Sequence, residues 1–161
     1  MGGPAHTGED LRWLRAAVEL SRRCPPSDAA FSVGAVLVRD HEVIATGYSR
    51  ERDPHDHAEE VALARAAEGL TPGPGVAGPG VAEATMYTSL EPCRRRLSRP
   101  RSCSELIVEA GIRRVVLAWT EPPVFVPGGG ARWLRDHAVT VVELPELAEE
   151  ARAVNAHLLP A

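Results

Sequence analysis

Four side chains in this sequence have the types and the order of a hydrolytic metal site. His57 opens His57-Ala58-Glu59-Glu60, Cys93 closes Glu91-Pro92-Cys93, and Cys103 lies further on. One imidazole and two thiolates can hold a zinc ion, which accepts both nitrogen and sulfur donors. Three protein ligands leave one coordination position for water, and zinc lowers the pKa of water from about 15.7 to about 7. Glu59, two residues beyond the histidine, would stand beside the metal and handle protons without occupying it. Each piece alone is bland, since a His-x-Glu usually starts an ordinary helix and a Pro-Cys is common. Their joint occurrence in this order, each at the edge of a predicted element, singles them out.

The elements that must position these residues follow from periodicity and punctuation. Asp10 to Cys24 places Leu11, Leu14 and Val18 near a helical stripe and ends at Pro25-Pro26. Phe31 to Val38 is an apolar run of strand length, turned by Arg39-Asp40-His41 into a second strand, Glu42 to Tyr48. A helix follows His57, with Asp56 as its N-cap and Glu59 and Glu60 in its first turn, and stops at Gly69. Residues 70–82 are rich in proline and glycine and read as an insertion loop or flap, not a domain boundary, because candidate ligands lie on both sides. Beyond them the sequence predicts strands over 85–90, 113–120 and 139–144, with helices over 104–110, 131–137 and 145–158.

Strands alternating with helices in the second half imply parallel pairing through right-handed crossovers. The expectation is one α/β domain over residues 1–161, a three-layer α/β/α sandwich with a mostly parallel five-stranded sheet. Cys93 then leaves the carboxyl end of a strand, and His57 and Cys103 sit at helix N-termini. Open α/β sheets bind ligands at such ends, so residues distant in sequence can converge there.

Composition narrows the functional classes. A chain of 161 residues can bury one proper core. No apolar run approaches the roughly 20 residues that span a bilayer, and the N-terminus lacks the basic flank and apolar core of a signal peptide. No membrane partner is expected, and the expected location is cytoplasmic. Three cysteines, an odd count, favour metal binding over a disulfide framework. A net charge of −4 and few aromatic side chains make nucleic acid an unexpected partner.

Arg94, Arg95, Arg96, Arg99 and Arg101 crowd the segment between Cys93 and Cys103. Guanidinium forks suit a phosphate on the substrate, and a solvated basic loop is the competing reading. Trp119 and Phe125 lie near the carboxyl end of the predicted strand 113–120 and can line a ligand pocket or pack in the core. Trp13 and Trp133 on helices read as core or interface, Cys24 as a small apolar group, and His55 as an ordinary loop histidine. Gly128 to Gly130 lack the strand-to-helix context of a dinucleotide fingerprint, so no nicotinamide site is expected.

The set His57-x-Glu59, Pro92-Cys93 and Cys103 resembles the cytidine-deaminase-like superfamily of zinc nucleobase deaminases, whose signature is His-x-Glu followed by Pro-Cys-x-x-Cys. Here nine residues, Arg94 to Ser102, separate the cysteines in place of two. That spacing is similar to a narrower branch, the pyrimidine deaminase domain of the bifunctional riboflavin-biosynthesis deaminase/reductase. Gly47-Tyr48, Ser89-Leu90-Glu91-Pro92-Cys93, Leu106 to Val116, Glu121 to Gly130 and the tail around Asn155 also resemble that family's blocks. The resemblance implies zinc on His57, Cys93 and Cys103, Glu59 as general acid/base, a small pyrimidine substrate, and a homo-oligomer, since the superfamily forms dimers or tetramers.

The departures concern the substrate. Where that family carries an Asn-Pro before its Val-Gly strand, Ala30-Phe31 stand here, and Phe31-Ser-Val-Gly-Ala35 is similar to the strand of free-nucleoside cytidine deaminases. The family's reductase domain has no counterpart in these residues, so a standalone deaminase is expected. The expected substrate is the diaminohydroxyphosphoribosylaminopyrimidine of riboflavin biosynthesis. A cytidine- or cytosine-type pyrimidine is the second reading. A non-catalytic zinc-binding interaction module, closed by a fourth ligand such as His55 or Cys24, is the reading from another class.

Overall fold

The computed structural model describes residues 6–69 and 80–160. Ten main elements follow the expected order: α1 (Gly8–Ser21), β1 (Gly34–Arg39), β2 (Glu42–Tyr48), α2 (Ala58–Gly69), β3 (Thr85–Thr88), α3 (Cys103–Glu109), β4 (Arg114–Leu117), α4 (Gly130–Asp136), β5 (Thr140–Glu143) and α5 (Ala148–Val154). Of the proline- and glycine-rich segment 70–82, residues 70–79 lie outside the described residues, and Val81–Glu83 form a 3₁₀ turn.

The five strands form one sheet in the order β2-β1-β3-β4-β5. The hairpin β1–β2 and the β1–β3 pair are antiparallel, while β3–β4 and β4–β5 are parallel, each joined by a crossover helix as the alternation predicted. The hairpin turns at Asp40 and His41, both left-handed with φ of 51° and 65°. Two consecutive left-handed residues match the twist of the flanking strands.

Strand alternation builds the three layers. Val36, Tyr87, Val116 and Val142 face one side and pack with Leu14 and Val18 of α1 and Ala151 of α5. Their neighbours Leu37, Met86, Val115 and Val141 face the other side and pack with Ala62 of α2, Ile107 of α3 and Leu134 of α4. A period of two in the strands thus separates two cores.

One buried polar contact pins α1 to the sheet. Thr7 and Asp10 form a capping box at the start of α1. The Asp10 carboxylate also accepts from the Tyr87 hydroxyl at 2.6 Å and from the Arg114 guanidinium at 2.9 and 2.8 Å. Arg114, Tyr87 and the Thr7 N–H outweigh burial and hold the Asp10 carboxyl well below the usual range.

Two local readings shift. The strand expected from Phe31 begins at Gly34, because the backbone before it is satisfied by side chains. Asn155 Oδ1 accepts from the Ser32 N–H at 2.7 Å, Asn155 Nδ2 donates to the Ser32 carbonyl at 3.0 Å, and Ser49 Oγ accepts from the Val33 N–H at 2.9 Å. Asp56 serves the preceding turn instead of capping α2: its Oδ2 accepts from the Arg52 and Asp53 N–H groups, both at 3.0 Å. The His57 N–H goes to Glu60 Oε1 at 2.9 Å.

Candidate active site at the carboxyl end of β3

The chain carries its chemistry to one end of the sheet by three routes. The first turn of α2 delivers His57 and Glu59. Gly47 on β2 lets that helix approach, since a Cβ there would run into the Ala58 carbonyl oxygen. The segment leaving β3 delivers Cys93. Ser102 caps α3 by accepting from the Glu105 N–H at 3.1 Å, which fixes Cys103 as the first helical residue. Gly130 has a similar role beneath Cys93, because a Cβ there would collide with the Pro92 carbonyl oxygen.

The three candidate ligands converge. His57 Nδ1 lies 3.6 Å from Cys93 Sγ and 3.3 Å from Cys103 Sγ, and the three donor atoms lie within 4.8 Å of one another. Both cysteines are buried. The Cys103 N–H donates to Cys93 Sγ at 3.2 Å. Hydrogen bonds from Cys103, together with His57, push the Cys93 thiol down, and the Cys103 thiol is pushed up as the pair's proton holder. One nitrogen and two sulfurs, one already biased to thiolate, are a donor set that fits zinc. Among the described residues no fourth such donor joins the group; His55 and Cys24 stand outside it.

Glu59 is buried beside this trio, at 3% exposure. Burial pushes its carboxyl up, opposed by His57 and by the hydroxyl of Thr88, which lies 2.7 Å from Glu59 Oε1. Thr88 is the last residue of β3, and nothing in the local sequence marks it as a site residue.

A cavity of about 520 Å³ opens in front of these groups. Its lining includes His57, Glu59 and Cys93, the wall Ala30-Phe31, and Arg95, Arg96, Glu121 and Phe125. Phe125 meets Phe31 edge to face, with ring centroids 5.1 Å apart. Arg50 secures that wall, donating to the carbonyls of Pro25 and Phe31 and to Ser32 Oγ.

The arginines and Trp119 divide by position. Arg95 and Arg96 line the cavity, whereas Arg94, Arg99 and Trp119 are not among its lining residues. Arg94 lies over the Trp133 ring at 4.9 Å. Arg99 is held by three carboxylates, Asp53, Asp56 and Glu60, at 3.3 to 3.4 Å. Arg101 pairs with Glu109. Trp119 packs against both cores and meets Phe31 at 5.8 Å. Its place as a packing residue follows from its position two residues beyond the end of β4, where it contacts both layers. The Arg96 side chain is only 3% exposed, with Nη2 donating to the His55 carbonyl at 2.6 Å and to Glu60 Oε1 at 3.0 Å. Its Nε and Nη1 are buried with no partner among the described residues.

Glu91 and Glu121 complete the floor. The Glu91 carboxylate accepts from the N–H groups of Glu121 at 2.8 Å and Ala131 at 2.7 Å, which ties the β3 exit to the segment after β4 and to α4. Sequence reasoning had placed no role on Glu121. Its position shortly after a strand whose carboxyl end faces the site was the available signal.

Residues 7–119 match the cytidine and deoxycytidylate deaminase zinc-binding region, and the chain belongs to that deaminase family. Within it, the chain is similar to the enzymes that deaminate a riboflavin precursor. It is 38% identical over 131 residues to a diaminohydroxyphosphoribosylamino-pyrimidine deaminase of Schizosaccharomyces pombe, covering 81% of this chain and 31% of that protein. It superposes on the Thermotoga maritima diaminohydroxyphosphoribosylaminopyrimidine deaminase/5-amino-6-(5-phosphoribosylamino)uracil reductase with a TM-score of 0.73 at 30% identity, covering 91% of this chain and 39% of that one. The Aspergillus oryzae Rib2 deaminase in complex with DARIPP gives a TM-score of 0.76 at 25% identity, covering 91% and 90%. The chain thus spans about a third of the fission-yeast protein and nearly the whole of the Aspergillus chain.

Proposed function

We propose that this chain is a zinc-dependent hydrolytic deaminase of an aminopyrimidine that carries a phosphoribosylamino group, the diaminohydroxyphosphoribosylaminopyrimidine of riboflavin biosynthesis. The observation that carries the reading is the convergence of His57, Cys93 and Cys103 within 4.8 Å, with no fourth donor among the described residues, beside a buried Glu59 on a cavity wall. Such a set argues against the closed, purely structural site, which takes four protein ligands.

His57, Cys93 and Cys103 would hold the zinc ion, which supplies a Lewis acid that makes a water nucleophilic at neutral pH. Glu59 takes the proton released as the new C–O bond forms and passes it to the ring nitrogen, then takes the remaining proton of the new hydroxyl and delivers it to the departing amine as the carbonyl forms, the C–N bond breaks and ammonia leaves. Thr88 holds the carboxylate in place for both transfers. Phe125 and Phe31 face the ring, and Arg95 and Arg96 lie where an anionic group of the substrate can reach them. The buried, unpartnered Nε and Nη1 of Arg96 are the strongest support for an acceptor arriving with the substrate. Arg94 and Arg99 act on the loop, not on the ligand.

A second reading, a cytidine- or cytosine-type deaminase, is favoured by Ala30, which lines the cavity and offers no hydrogen bond. Ammonia release from the zinc-loaded protein, compared across the riboflavin precursor, cytidine, cytosine and deoxycytidylate, separates the two. Turnover of cytidine alone would sink the riboflavin assignment. The reading also carries a homo-oligomer and a cytoplasmic location.

A further inference from the structure

Four carboxyl groups line the cavity: Asp56, Glu59, Glu91 and Glu121. Three are spoken for. Asp56 accepts from the backbone of Arg52 and Asp53 and from Arg99, Glu59 from Thr88, and Glu91 from the N–H groups of Glu121 and Ala131. Glu121 is the exception: among the described residues its side chain has no hydrogen-bond or ion-pair partner, and no cation stands near it. Burial pushes its carboxyl up to about 8, and negative charge at Cys93, Glu91 and Glu59 adds to the shift.

Its backbone, by contrast, is fixed. The Glu121 N–H is clamped by Glu91, and a Cβ on Gly128 would lie 2.8 Å from the Glu121 carbonyl oxygen, so the segment after β4 is folded tightly against itself. A partly buried carboxyl group held on a fixed backbone, facing a cavity and lacking a donor, is a site that a donor-rich ligand completes. Ala30 and Phe31 in the same lining offer no polar side-chain atom.

We infer that Glu121 is a specificity-determining residue that accepts hydrogen bonds from the N–H groups the pyrimidine keeps after deamination, and so selects a ring with adjacent amino substituents over a plain pyrimidine. The inference rests on the proposed reaction for its substrate class. The compound named for the second activity of the Thermotoga enzyme, 5-amino-6-(5-phosphoribosylamino)uracil, carries two such N–H groups on neighbouring ring carbons. Once ionised, the carboxyl group of Glu121 has an oxygen for each. Cytidine has one amino group, which reacts, so it offers Glu121 no such pair, and Glu121 also disfavours the second reading.

The test is equilibrium binding of 5,6-diaminouracil and of uracil, measured under argon on the zinc-loaded full chain and its Glu121→Gln and Glu121→Ala variants. Neither compound contains the amine that leaves, so the result is independent of turnover. At a pH above about 8, where the Glu121 carboxyl is ionised, wild type should bind 5,6-diaminouracil about tenfold or more tightly than uracil, a preference within reach of charge-assisted hydrogen bonds. Both variants should lose most of that preference while keeping uracil affinity and stoichiometric zinc. An unchanged preference in the variants, equal affinities in wild type, or no measurable binding of 5,6-diaminouracil would overturn the role of Glu121. Ammonia release alongside any of these would leave the deaminase reading standing; preference without ammonia release would remove that reading and keep the selectivity of Glu121.

Discussion

The Thr88 hydroxyl lies between Glu59 Oε1, at 2.7 Å, and the Leu90 carbonyl oxygen, at 2.9 Å. A hydroxyl has one proton and two lone pairs. When Glu59 is ionised, Thr88 donates to it; when Glu59 carries a proton, it can donate to Thr88, which then donates to Leu90. One buried side chain therefore supports both states of a group that must gain and lose a proton in each cycle. Thr88→Val keeps the shape and removes this support. It should lower kcat about tenfold with KM little changed, consistent with loss of one hydrogen bond to a charged group. A change confined to KM would mean that Thr88 shapes the pocket without serving Glu59.

The ligand trio makes a separate prediction. Chelation should abolish ammonia release, and added zinc should restore it. Cys103→Ala should lower zinc stoichiometry and activity together, because the remaining two donors do not fill a zinc site. Full zinc retention in this variant, measured by metal analysis, would contradict the assignment of Cys103.

Glu60 gathers the segment between the cysteines. It accepts from the His57 N–H at 2.9 Å and from Arg96 at 3.0 Å, and it pairs with Arg99 at 3.3 Å. Burial alone would raise its carboxyl, but the His57 N–H, Arg96 and Arg99 outweigh that and hold it low. Glu60→Gln should loosen Arg96 and raise KM by roughly tenfold, with a smaller effect on kcat, since about 1.4 kcal/mol corresponds to a factor of ten. Unchanged KM would show that the loop is held by its other contacts.

Far from the cavity, Asp10 predicts an acid response of stability. Its folded-state pKa is depressed, so its contribution is complete above the ordinary value of about 3.9 and is lost as pH falls through the native value. Asp10→Asn should destabilise by roughly 2 to 3 kcal/mol near neutral pH, since it removes the negative charge that accepts from Arg114 and Tyr87. The difference between wild type and variant should shrink as the pH is lowered below about 4. Urea unfolding across that range checks this, and a pH-independent difference would contradict it.

Much of the fold was legible because its signals are local. The apolar runs of β1, β3, β4 and β5 are bounded by proline, glycine and charge, so their order and the crossover helices between them followed from the sequence. The delayed start of β1 did not, since the partner of Ser32 is Asn155, 123 positions away. Asp56 misled for a related reason: its type suits a cap, but its carboxylate folds back onto Arg52 and Asp53.

In the site, His57, Glu59, Cys93 and Cys103 were legible from type and spacing, and the structure brings them together. The arginines were legible only as a cluster. Which of them face the cavity depends on Glu60, Asp53 and Trp133, which claim Arg99 and Arg94 from other parts of the chain. Glu121 carries only the signal of its place shortly after β4, because its significance is the absence of a side-chain partner among the described residues.

The most direct test of the central claim is ammonia release from the diaminohydroxyphosphoribosylaminopyrimidine by the zinc-loaded protein, with Glu59→Gln measured in parallel. Release by wild type, with a loss of about a thousandfold or more in a variant that still binds zinc, is the expected result, given what positioned acid–base groups contribute. Equal release by Glu59→Gln, or none by wild type with zinc fully bound, would contradict it.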